Sequence, residues 1–115
     1  MKIGFLLHKS PEHQDAHTVK RLAEGFVEMG HEVSIFLMED GVYNVAVNNS
    51  PRKLSAGFDN LIPKGVKIAI CTYTAEIRGL NQPDIFDGVD FHSQYDLSKL
   101  VNECDRFLSF VLRVI

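Results

Sequence analysis

The sequence predicts an α/β fold of three layers, in which helices cover both faces of a mostly parallel sheet of about five strands. Short apolar runs recur along the chain, and most lack the strict alternation typical of a strand with one wet face. Segments with helical spacing of apolar residues separate these runs. Strands that alternate with helices form parallel sheets, because each helix carries the chain back over the sheet.

The first half of the chain predicts a strand, a helix and a second strand. Residues 2–8, KIGFLLH, form a continuous apolar run that ends in polar residues and proline, as expected of a buried strand. From 15 to 29, apolar residues recur every three or four positions, and Gly30 is placed to end that helix. Residues 32–38, EVSIFLM, then predict the second strand.

The middle of the chain is less regular. Residues 39–51 are rich in turn formers at both ends and predict a loop with a short irregular element. A helical turn or two is expected over residues 53–61. The Pro-Lys-Gly sequence at 63–65 then marks a break, and residues 66–71, VKIAIC, predict the third strand.

The last third predicts two further strands, each preceded by a helix. Residues 72–80 predict a short helix closed at Gly79, and a short strand is expected over 89–91. Residues 96–104, DLSKLVNEC, predict a helix whose cap is Asp96 or Ser98. A final strand begins near residue 106 within DRFLSFVLRVI, and this apolar end must be covered by the domain or by a neighbouring chain.

Composition limits the function classes. A chain of 115 residues predicts one domain, 1–115, and the mixture of 45% hydrophobic and 23% charged residues is typical of globular proteins. The net charge of −3, with scattered Lys and Arg, argues against direct nucleic-acid binding. The apolar runs are shorter than the roughly 20 residues that cross a bilayer. With no segment typical of a signal peptide, we expect a cytoplasmic protein and no membrane partner.

The carboxyl ends of parallel strands meet at the edge of the sheet where ligands usually bind. We therefore expect a crevice near His8, Asp40 and Tyr43, with Cys71 at the end of the third strand. A thiol just before a helix feels the positive end of the helix dipole, which favours the thiolate, and Arg78 is close enough in sequence to add positive charge. The alternative is that Cys71 is a small buried core residue.

Other motifs are weak. Cys104 lies between a helix and a strand and is expected to pack in the core. His13 and His17 are four residues apart, but no HExxH pattern completes a metal site, so no metal is expected. The chain also lacks GxGxxG, GxxxxGK[ST] and GxSxG, which leaves a nucleotide cofactor or a serine hydrolase without support and predicts no cofactor.

Three stretches resemble the DsrE/DsrF-like family, most closely its DsrE and TusD type, in order and in spacing. They are EGFVEMGHEVSIFLMEDGVYNV at 24–45, VKIAICTYTAEIRGL at 66–80 and CDRFLSF at 104–110. The resemblance implies a small α/β/α domain, similar to flavodoxin in general appearance. It also implies a sulfurtransferase that carries sulfane sulfur as a persulfide in intracellular sulfur relay.

In that resemblance Cys71 matches the cysteine that carries sulfur, and Arg78 belongs to the RG pair that follows it. Arg78 and the backbone amides of Thr72 and Tyr73 are then candidates for stabilising the anionic sulfur. The implied partners are sulfur donor and acceptor proteins and paralogous subunits, and a homo-oligomer, a trimer or hexamer, is expected. The alternatives are a non-catalytic subunit or a small-molecule-binding domain of such a ring.

Overall fold

A computed structural model describes residues 1–47 and 55–111 of the chain. Parts of three predicted segments lie outside the described residues: the end of the loop at 39–51, the start of the helical turn at 53–61 and the last residues of the final strand.

Within the described residues, five strands and three α-helices follow one another in the predicted order. The strands are β1 (Lys2–Leu7), β2 (Glu32–Leu37), β3 (Lys67–Cys71), β4 (Val89–His92) and β5 (Arg106–Phe110). The helices are α1 (Gln14–Glu28), α2 (Thr72–Ile77) and α3 (Gln94–Glu103). Short 3-10 helices occupy Glu39–Val45, Phe58–Asn60, Ile62–Lys64 and Gln82–Asp84.

The strands form one sheet in the order β4-β3-β2-β1-β5, and every pairing between them is parallel. The α/β prediction is therefore confirmed, and the sheet is parallel throughout the described strands. Each strand adds to the sheet beside its predecessor except β5, which pairs with β1 at the far edge. The connection through α3 therefore crosses most of the sheet.

One face of the sheet carries the core. Ile3, Phe5 and Leu7 of β1 align with Val33, Ile35 and Leu37 of β2, and all six are buried. The apolar stripe of α1, Ala16, Val19 and Ala23, belongs to the same cluster. Phe58 and Leu61, in and directly after the 3-10 helix Phe58–Asn60, complete the core from outside the strands and α-helices.

The other face is covered by α3, which makes the third layer. Gly4 alternates with Ile3 and Phe5 and so faces away from the core. A Cβ at Gly4 would lie 2.7 Å from Cys104 Sγ and 2.7 Å from the Phe107 ring. The glycine therefore makes room for the end of α3 and the start of β5 to pack on this second face.

Helix ends follow local chemistry, with one correction. Gly30 has φ 91°, as a glycine that ends a helix requires. The cap of α3 is neither Asp96 nor Ser98, as predicted, but Ser93, whose hydroxyl accepts a hydrogen bond from the Asp96 amide. Asp96 is the third helical residue, and its carboxylate accepts from the Ser93 amide at 2.9 Å. The pair forms a capping box, so the helix begins two residues earlier than expected.

Candidate functional site

Cys71 is the last residue of β3 and the capping position of α2. Its neighbours Ile68 and Ile70 belong to the core cluster, and side chains alternate along a strand, so Cys71 faces the side of the sheet that α3 covers. Only 1% of the residue is exposed, and it is reduced, with no disulfide. Cys71 ends the third strand, as predicted, and any chemistry at this thiol must accommodate its burial.

His92 is the register partner of Cys71 on the neighbouring strand β4. Phe91 packs against the core, so His92 points to the same face of the sheet as Cys71. The two backbones are about 4.8 Å apart, the usual spacing of paired strands. Thr72 ties the two strand ends together, because its hydroxyl donates to the backbone oxygen of His92 at 3.1 Å.

The start of α3 adds a carboxylate beside this histidine. Asp96 accepts hydrogen bonds from the Ser93 amide at 2.9 Å and from the Ser93 hydroxyl at 3.1 Å. The hydrogen bond from the Ser93 amide holds the pKa of Asp96 below its ordinary value. The hydrogen bond from the Ser93 hydroxyl and the charges of His92 and Lys99 act in the same direction. Asp96 is therefore a fixed anion close to His92.

A cleft of about 250 Å³ lies between α3 and the sheet on this face. Its lining combines apolar strand residues with side chains of both charges, and His92 and Asp96 form part of it. The charged side chains are Lys2, Glu32, Lys67, Asp90, Asp96, Lys99 and Glu103. The cleft lies on the face of the sheet toward which Cys71 points, but Cys71 is not among the residues that line it.

Arg78 is placed by carboxylates of the 3-10 helix that follows β2. Its Nε and Nη2 donate to Asp40 Oδ1 at 3.1 and 3.0 Å, and Nη2 also donates to Glu39 Oε2 at 3.4 Å. Nη1 donates to the Thr74 carbonyl oxygen at 3.4 Å. Two residues that the sequence assigned to separate roles, Arg78 and Asp40, are thus ion partners that join α2 to the crevice edge.

His8 lies where it was predicted, just after β1, with its amide donating to the Phe110 carbonyl at 2.9 Å. Its Nε2 is buried without a hydrogen-bond partner among residues 1–47 and 55–111. Burial lowers the pKa of His8, although the nearby charge of Glu39 acts in the opposite direction. His8 is therefore held toward its neutral form.

Asn44 is a buried polar residue that the sequence did not single out. Its amide nitrogen donates to the carbonyl oxygens of Lys9 and Gly41, both at 2.9 Å, and so joins the end of β1 to the Glu39–Val45 helix. Its Oδ1 has no partner within the described part of the chain. Tyr43, which was predicted to line this crevice, directly precedes Asn44 in sequence and is partly buried.

The remaining candidates have simpler surroundings. Tyr73 is 68% exposed on α2, and Ile77, one helical turn later, is exposed as well. Cys104 was expected to pack in the core, but it is only partly buried, lies outside the core cluster and lines the cleft under α3. Burial, aided by Glu103 and Asp105, raises the pKa of its thiol. Among the described residues, no three His, Cys, Asp or Glu side chains are grouped so as to hold a metal ion. None of the described helices is long and apolar enough to cross a membrane.

Sequence reasoning thus found Cys71 but missed His92 as its register partner and Asp96 beside that histidine. The signal was present, since His92 directly follows the strand predicted over 89–91, close to where Cys71 ends the strand before it. What sequence did not supply was the order of the strands, which places β4 directly beside β3.

The model of the DsrE/DsrF-like family matches residues 1–110. An uncharacterised protein of Methanopyrus kandleri, MK0008, is 30% identical over 112 residues, covering 94% of this chain and 93% of that protein. An uncharacterised protein of Methanocaldococcus jannaschii, MJ0989, is 28% identical over 114 residues, covering 96% of this chain and 100% of that protein.

Solved structures share the fold at low sequence identity. The ychN protein of E. coli superposes with a TM-score of 0.82 at 20% identity, covering 96% of this chain and 99% of its own. A protein of unknown function from Bacteroides thetaiotaomicron, BT1422, gives 0.75 at 15% identity over 95% of this chain and 94% of its own.

Proposed function

Because the chain belongs to the DsrE/DsrF-like family, we propose that it is a sulfurtransferase that carries sulfane sulfur as a persulfide on Cys71. The observation that carries the proposal is the position of this thiol at the carboxyl end of a parallel strand, where α/β proteins bind their ligands. The family resemblance of residues 66–80, which include the cysteine and the following Arg-Gly pair, supports the same role.

The reaction needs only thiol exchange. The Cys71 thiolate attacks the outer sulfur of a donor persulfide, a new S–S bond forms on Cys71, and the donor's S–S bond breaks, leaving its electron pair on the donor sulfur. The donor thiolate takes up the proton that Cys71 gave, so the step is balanced without an oxidant. No metal or cofactor enters it.

Burial of Cys71 sets a condition on this role. An S–S bond of about 2.05 Å carries the outer sulfur well beyond the original thiol. The outer sulfur is therefore the atom that meets an acceptor, and because Cys71 does not line the cleft under α3, access to it requires a change at the strand end. We expect local opening at this strand end when a donor delivers sulfur to the 1% exposed thiol.

Stabilisation of the anionic sulfur remains a prediction. Thr72 and Tyr73 follow Cys71 directly and offer backbone amides at the start of α2. Arg78 is shared with Asp40 and Glu39, so a role toward sulfur requires it to exchange partners. Unchanged sulfur loading in an Arg78→Ala variant would remove the arginine from the mechanism.

The partners that follow from the proposal are sulfur donor and acceptor proteins, with paralogous subunits or further copies of this chain completing a trimer or hexamer. The exposed Tyr73 and Ile77 supply an apolar contact surface one turn from the thiol. Sedimentation velocity measures the assembly, and a monomer at micromolar concentration would contradict the oligomer. Cytoplasmic location is part of the same proposal.

A second candidate is a non-catalytic subunit or a small-molecule-binding domain, and two observations favour it. Cys71 is almost fully buried, and the unpartnered Asn44 Oδ1 and His8 Nε2 lie near the predicted crevice. This candidate predicts an assembly that survives Cys71→Ser and a thiol that acquires no sulfur. Intact-protein mass spectrometry after incubation with a cysteine desulfurase and cysteine separates the two, with Cys104→Ser as the matched control.

A further inference from the structure

We propose that His92 is the base that takes the proton from Cys71 when its thiolate forms. The inference deepens the proposed function, because it names the second group of the same site. Neither the family resemblance nor the sequence pattern assigned His92 a part in thiol chemistry.

The first support is position. Cys71 and His92 are register partners on adjacent strands, and both point away from the core cluster. Side chains paired in this way on one face extend side by side from backbones about 4.8 Å apart. The two side chains do not hydrogen-bond in the structure, and bonds of this kind often tighten only when the substrate is bound.

The second support is that the histidine end of the pair is held in place. Thr72, the residue after the thiol, donates from its hydroxyl to the backbone oxygen of His92 at 3.1 Å. The next residue, Ser93, caps α3 and fixes Asp96 through the reciprocal capping box. The strand end that carries the histidine is thereby tied to both the thiol strand and the helix.

The third support is charge. Protonated His92 gains a nearby anion in Asp96, whose pKa is lowered chiefly by its hydrogen bond from the Ser93 amide and in smaller part by the charge of His92. The other charged side chains that line the same cleft are Lys2, Glu32, Lys67, Asp90, Lys99 and Glu103. An imidazolium at this place therefore has a fixed carboxylate near it in addition to the thiolate that it has formed.

Other bases are less well placed. His8 follows β1, which is two strands from β3 in the sheet, so the two strand ends are about 10 Å apart. Arg78 remains protonated at neutral pH and already contacts two carboxylates. His92 is the titratable side chain in register with the thiol.

Proton and electron balance follow directly. Neutral His92 accepts the thiol proton, and the thiolate uses its electron pair to bond the outer sulfur of the donor persulfide. The donor's S–S bond breaks, and the departing donor thiolate receives the proton from the imidazolium. His92 returns to its neutral form at the end of each transfer.

The test measures the rate of Cys71 alkylation by iodoacetamide, followed by intact mass in a Cys104→Ser background. The variant is His92→Gln, and the control is His13→Gln, which replaces an exposed histidine ahead of α1. The Thr72 bond goes to the backbone of residue 92 and so survives the substitution. Thermal melting checks that each variant is folded.

At about pH 7, His92→Gln should slow alkylation about tenfold or more relative to His13→Gln, because the group that takes up the thiol proton is lost. At about pH 10, above the ordinary thiol pKa of about 8.5, solvent removes the proton and the variants should react alike. A difference that persists at high pH shows only a structural effect and overturns the proposal. Equal rates at pH 7, or a Cys71 that does not react there, also overturn it.

The alkylation result stands apart from sulfur carriage. If the protein gains no sulfur but His92→Gln slows alkylation of Cys71 at pH 7, the proposed function is rejected and the role of His92 as the base is retained. If the protein gains sulfur but His92→Gln and His13→Gln are alkylated at equal rates, the proposed function is retained and the role of His92 as the base is rejected.

Discussion

Gly41 provides a sharp test of how the crevice is built. A Cβ at this position would lie 2.2 Å from the carbonyl oxygen of Leu7 and 3.0 Å from the Leu7 carbonyl carbon, both backbone atoms at the end of β1. Real Cβ contacts below 3.0 Å essentially do not occur, so Gly41→Ala must open a gap of about 0.8 Å between two backbone segments. Neither segment can rotate away as a side chain would, and overpacking of this kind costs about 1–3 kcal/mol.

The measurement is urea unfolding of both the parent and Gly41→Ala at one protein concentration. Gly25→Ala is the matched control, because a Cβ at that mid-helix position meets nothing within 4 Å. Alanine in place of glycine inside α1 should stabilise by about 0.5–1 kcal/mol. The same substitution is thus expected to act in opposite directions at the two sites. Gly41→Ala at parental stability would contradict the close approach of the Glu39–Val45 helix to β1.

Further predictions concern the cap, the core and the ion pair. Ser93→Ala should cost about 1 kcal/mol in urea unfolding through loss of the α3 cap, and no loss would contradict the capping box. Because the pKa of Asp96 is lowered on folding, its contribution to stability is present above the ordinary value of 3.8 and lost as pH falls through the folded pKa. Asp96→Asn should therefore flatten the acid limb of stability measured by thermal melting against pH, and an unchanged limb would contradict it. Phe58→Ala removes a fully buried ring and should cost about 3–5 kcal/mol in chemical unfolding, more than any surface change. A double-mutant cycle of Arg78→Ala and Asp40→Asn should give a coupling of about 0.5–1 kcal/mol, small because the Asp40 side chain is 60% exposed, and zero coupling would remove the pair as a structural link.

Much of the fold could be predicted because the apolar periodicity is strong. The apolar runs of β1, β2 and β3 can be buried only as strands covered on both faces, and the apolar stripe of α1 only as a helix packed on the sheet. The start of α3 was wrong by two residues. Asp96 and Ser98 both look like caps in sequence, and only the reciprocal bonds between Ser93 and Asp96 distinguish the real one.

The candidate site could be predicted only in part. A strand end marks Cys71 and His8 as crevice residues without knowledge of the fold. The partnership of Cys71 with His92 depends on β3 and β4 being neighbours, which is a property of topology. Likewise, the contact of Arg78 with Asp40 joins positions 38 residues apart and follows from the packing of α2 on the segment after β2.

The central claim is that Cys71 carries sulfur, and sulfur loading tests it most directly. The protein is incubated with a cysteine desulfurase and cysteine, and its intact mass is compared among the parent, Cys71→Ser and Cys104→Ser. A gain of one sulfur in the parent and in Cys104→Ser, absent in Cys71→Ser, is the predicted result. A folded parent that gains no sulfur, or a gain that persists in Cys71→Ser, would contradict the account.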